Sequence, residues 1–85
     1  MKKIIETIKS NREELISKYS KLNKEIEVLS EGIKQATKLE KEDAVKKLWF
    51  KRADLDFEKT NILMAIGDLT NALNHLGEST EIFWG

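Results

Sequence analysis

From Ile5 onward, apolar side chains recur at alternating steps of three and four: Ile5, Ile8, Leu15, Tyr19, Leu22, Ile26, Leu29, Ile33 and Ala36, with Arg12 filling the one vacant step. A period near 3.5 gathers these residues into one stripe along a helix of the kind found in coiled coils and bundles. The remaining sides carry Lys9, Glu13, Lys21, Lys24, Glu27 and Glu31, mixed in sign, with Glu14 and Lys18 in the favourable i,i+4 order. Beyond Ile5, only Ile16 and Val28 are sizeable apolar residues off the stripe. The spacing predicts a helix over about residues 2–37 with a solvated back.

A second run has the same spacing: Val45, Leu48, Arg52, Leu55, Lys59, Ile62, Ile66, Leu69, Leu73 and Leu76. Its phase does not continue the first. Extending the first stripe past Ala36 would bury Glu40, Asp43 and Lys47, at a cost of several kcal/mol each. A turn over about residues 38–42 avoids this and leaves a second helix over about 43–76. Glu42 and Asp43 then lie in its first turn, and Leu39 is placed to close on Ala44 as a hydrophobic staple. Folding back there pairs Ala36 with Val45, Ile33 with Leu48, Ile26 with Leu55, Tyr19 with Ile62, Leu15 with Ile66, Ile8 with Leu73 and Ile5 with Leu76. A rival placement ends the first helix at Gly32 and caps the second with Thr37 and Glu40, shifting every pair by one heptad.

The second helix is apolar on two opposite sides. At about 100° per residue, Trp49, Phe50, Ala53, Phe57 and Met64, with uncharged Thr60, Gly67, Asn71 and His75, face away from the first helix. A two-helix hairpin covers only one of those sides. After Gly77, a helix-ending residue, comes a tail over residues 77–85 that contains Ile82, Phe83 and Trp84. Extended, it spans about 25 Å, enough to lay Phe83 and Trp84 over a neighbouring helix. The expected architecture is therefore all-α: one domain over residues 1–85, an antiparallel, coiled-coil-like two-helix hairpin that dimerises into a four-helix bundle with the second helices at its centre. The expected partner-binding or dimer-interface residues are Trp49, Phe50, Ala53, Phe57, Met64, Ile82, Phe83 and Trp84.

Composition strengthens the case for a partner. An 85-residue chain is near the size at which a single core is marginal, and with no cysteine it has neither disulfides nor thiolate metal sites to supplement that core. Proline is absent as well, which suits long helices. Formal net charge is zero, with every Lys and Arg at or before Lys59 and only Asp68, Glu78 and Glu81 charged beyond it. Such a distribution does not make the field that attracts nucleic acid, and the glutamates among the lysines of the first helix oppose a phosphate backbone. No run reaches the roughly 20 apolar residues of a membrane span. Glu6, Lys9, Arg12 and Glu13 interrupt the opening before a signal-peptide core develops, so a cytoplasmic location is expected.

Candidate chemistry is sparse. His75 and Glu78 form a His-x-x-Glu pair that a two-fold axis could double into four metal ligands, but a di-iron bundle needs more inward carboxylates and Gly77 interrupts the pair. His75 reads instead as a helix-end residue facing the C-terminal dipole. Asp54, Asp56 and Glu58 beside Lys51, Arg52 and Lys59 read as a solvated, salt-bridged flank. The seam charges Arg12, Arg52 and Lys59 are expected to snorkel while their stems pack, with Asp68 as the counter-charge to Arg12. There is no nucleophile beside a base and no glycine-rich phosphate loop, so no enzyme activity and no cofactor or metal are expected. The functional expectation is a protein-binding module that associates with itself and acts as a small regulator or inhibitor of a larger host protein. Its short, Lys-rich, motif-free character suits a phage or mobile-element product. A structural or scaffolding component of an assembly is the alternative, and a nucleic-acid-associated protein a second one.

Overall fold

The computed structural model describes residues 1–84 as two long helices packed against each other as an antiparallel hairpin, α1 (Lys2–Lys38) and α2 (Glu42–His75). The hairpin is a rod of 57 × 17 × 14 Å. Buried Tyr19, Leu22, Ile26, Ile33 and Ala36 form the α1 side of its core; Ile66, Thr70 and Leu73 are buried on the α2 side. Ile66 and Leu73 are essentially inaccessible, at 0% and 1% exposure, and full burial of such side chains is worth about 1.5–3 kcal/mol each.

The register follows from contacts along the seam. A Cβ on Gly32 would lie 3.4 Å from Leu48 Cδ1, Lys59 Nζ sits over the Tyr19 ring, and Arg12 reaches Thr70. These contacts agree with the pairing of Ile33 with Leu48 and Tyr19 with Ile62. The rival register would need α1 to end at Gly32, which instead lies within the helix, while the Thr37 hydroxyl donates back to the Ile33 carbonyl oxygen at 2.7 Å.

Each helix ends in the same backbone motif. After α1, the Lys41 amide donates to the Ala36 carbonyl oxygen (3.0 Å) and the Glu40 amide to that of Thr37 (3.1 Å), with Glu40 at φ 55°. After α2, the Glu78 amide donates to Leu73 (3.0 Å) and the Gly77 amide to Asn74 (3.1 Å), with Gly77 at φ 85°. Both are Schellman turns, in which a left-handed residue lets the chain satisfy otherwise unpaired terminal carbonyls. Glycine fills that position at one end and glutamate at the other. The expected staple between Leu39 and Ala44 does not form: Leu39 is the C-cap of α1 and remains exposed. The N-cap of α2 is Lys41, so Leu39 precedes it by two residues rather than by the one a staple requires.

Candidate interaction surface

The back of α2 is uncovered. Phe50, Phe57 and Met64 are 74%, 71% and 65% exposed, and they recur every seven residues, so they form a line about 21 Å long at 1.5 Å rise per residue. Ala53 and Thr60 are exposed between them. Trp49 stands at the flank of this line, half exposed, with the Arg52 guanidinium 5.2 Å from its ring centroid. Arg52 Nε also lies 3.7 Å from an Asp56 carboxylate oxygen, too far for a hydrogen bond, and it has no hydrogen-bond partner among the described residues. Asp54 and Glu58 are exposed, so the acidic cluster offers solvated carboxylates rather than a converging pair.

The tail turns back over its own hairpin. Glu78 Oε2 pairs with Lys9 Nζ at 3.4 Å, the Thr80 amide donates to Asn74 Oδ1 at 3.2 Å, and Arg12 Nη2 donates to the Glu81 carbonyl oxygen at 2.8 Å. Phe83 meets the Tyr19 ring edge to face, with centroids 5.4 Å apart at 85°. Tyr19 thereby joins three parts of the molecule: it belongs to α1, Lys59 of α2 approaches its ring at 5.3 Å, and the tail supplies the aromatic neighbour. Phe83 is thus half-buried within the chain, whereas Ile82 and Trp84 remain exposed.

Arg12 has a different partner from the one expected. Its Nε donates to Thr70 Oγ1 at 2.8 Å, and the Thr70 hydroxyl donates in turn to the Ile66 carbonyl oxygen at 2.8 Å. Helix geometry explains the choice. Thr70 follows Ile66 by four residues, about 40° around α2, whereas Asp68 follows by two, about 200° around, and points away from α1. Asp68 is exposed and makes no ion pair with Arg12 among the described residues.

The depressions in the surface are open and shallow. One at the turn is lined by Thr37, Glu40, Lys41, Glu42, Val45 and Lys46, and another is bordered by Val28, Leu29 and Leu55. Among the described residues no group of three or more His, Asp or Glu could hold a metal ion, and no helix is long and apolar enough to cross a membrane. The largest concentration of exposed apolar side chains on one element is the Phe50–Phe57–Met64 line and its flanking Trp49. No family model, no curated protein and no solved structure matches this chain.

Proposed function

We propose that this chain is a non-enzymatic protein-binding module that associates with itself through the back of α2 and acts as a small regulator or inhibitor of a larger host protein, of the kind that phages and mobile elements encode. The observation that carries the reading is the exposed line of Phe50, Phe57 and Met64 on a helix whose other side is already claimed by α1. Aromatic residues and methionine are favoured anchors of protein interfaces, and they are costly to leave in water in such an array. Ile82 and Trp84, also exposed, add apolar surface to the tail. A cytoplasmic site of action accords with this role.

Sedimentation of the wild-type chain at micromolar concentration tests self-association directly: a discrete dimer is expected, and a stable monomer overturns it. The regulatory part predicts capture of one defined larger protein from the source cell, lost on Phe57→Glu or on removal of residues 82–84. The elongated 57 Å rod also favours a scaffolding role as a second reading. Concentration-dependent growth beyond a dimer, or co-purification with a large assembly, would establish that alternative in place of the regulator.

A further inference from the structure

The exposed line on α2 alternates bulky and small residues. Phe50, Ala53, Phe57, Thr60, Met64 and Gly67 follow one another at steps of three and four, each exposed, so that one seam position of every heptad is large and the other small. Gly67 is the most informative of these. It lies inside α2, and among the described residues a Cβ built there meets nothing within 4 Å. Neither a tight turn nor a close intrachain contact calls for glycine, although glycine weakens a helix interior. The missing side chain leaves a notch that opens outward.

Resting on the self-association proposed above, we infer that this face binds the same face of a second copy, antiparallel and in one register: Phe50 over the second copy's Gly67, Met64 over its Ala53 and Phe57 over its Thr60, each repeated by the two-fold axis. Every large side chain then meets a small one, which permits close approach of the helices, near the lower end of the usual 8–10 Å. A parallel pairing would instead stack Phe50 on Phe50 and Phe57 on Phe57, with gaps at Thr60 and Gly67.

Charge separates this register from its neighbours. Flanking the seam on one side are Lys47, Asp54, Asn61 and Asp68, one per heptad, and all are exposed. In an antiparallel pair this flank meets itself, and the inferred register sets Lys47 against the second copy's Asp68 and Asp54 against its Asn61. A slip of one heptad in one direction brings Asp54 against Asp54; a slip in the other brings Asp54 against Asp68. Both alternatives oppose like charges, which disfavours them. The two-fold axis makes the Lys47–Asp68 contact twice.

The chain lacks cysteine, so single substitutions give clean cross-linking probes. Ala53→Cys and Met64→Cys proteins, mixed and mildly oxidised, are expected to give the mixed 53–64 disulfide in excess over either homodisulfide, as read by mass. A dominant 53–53 disulfide would establish a parallel pair and overturn the inference. A wild-type dimer in sedimentation without the mixed disulfide would overturn the register but leave self-association standing, whereas a wild-type monomer would overturn both.

A charge swap leaves the apolar face intact and supplies the second arm. Lys47→Asp is expected to weaken the dimer about tenfold at low salt, given two exposed pairs per dimer, and the double variant Lys47→Asp/Asp68→Lys to restore it to within about twofold. Lys47 and Asp68 lie 21 residues apart on one helix, about 31 Å, so restoration reports a contact between chains. Failure of the double variant to recover would overturn the Lys47–Asp68 pairing and the register with it.

Discussion

Thr70 shows how one hydroxyl can hold a charged seam residue in place. At 2% exposure it is the buried polar side chain of α2, and it both accepts from Arg12 and donates to the Ile66 carbonyl oxygen. Arg12 in turn fastens the tail through the Glu81 carbonyl oxygen. Thr70→Val preserves shape but deprives the guanidinium of its acceptor, and leaving such a group unpaired costs about 1–3 kcal/mol. Urea denaturation should show a loss of that size, and it should be smaller in an Arg12→Leu background, where the orphaned donor no longer exists. That a charge at position 12 interrupts the stripe is plain from the sequence. Its partner is less so, because a plausible counter-ion two residues from Ile66 and a hydroxyl four residues from it compete, and only their angular positions on the helix separate them.

The two helices and their packing faces were legible because their determinants are repetitive. The three-four spacing marks the stripes, and the phase break after Ala36 forces a turn before Glu40, Asp43 and Lys47 would be buried. The turn's detailed chemistry was not legible, because its left-handed position carries Glu40 rather than the glycine that signals one, as Gly77 does after α2. A left-handed conformation costs an L-residue about 1–2 kcal/mol. Part of that is returned on substitution, since glycine gains freedom in the unfolded chain. Glu40→Gly should therefore raise stability by about 1 kcal/mol, shifting the urea midpoint upward with an unchanged slope. The tail was legible only as apolar chain needing a place. Its path depends on Lys9, Arg12 and Tyr19, all remote in sequence. The exposure of Phe50, Phe57 and Met64 was readable from helix angles, because they lie on the side of α2 opposite the stripe that meets α1.

At the scale of the whole molecule, the rod is long for its mass. Its radius of gyration is 17.3 Å, against about 12 Å for a compact domain of this length. Two helices side by side bury only their facing stripes, so the core is a single thin layer. The aromatic line on α2 is the apolar surface available to thicken it. If a second copy supplies the missing layer, folding and association are linked, and the midpoint of thermal unfolding must depend on protein concentration. A hundredfold dilution, from about 100 μM to about 1 μM, lowers the free energy available from a dimer by RT ln 100, about 2.7 kcal/mol per dimer. Shared between two chains that is about 1.4 kcal/mol each, a fall of about 5–11 °C, since about 1 kcal/mol shifts the midpoint of a small domain by 4–8 °C. Circular dichroism melts across that range should show the fall in the wild type. Phe57→Glu should melt lower and at one temperature throughout, because its charge is harmless on the exposed face of a lone hairpin but buried in a paired one. Equal, concentration-independent melting of both proteins would mean that the hairpin is stable by its own thin core and that α2 keeps its back in water.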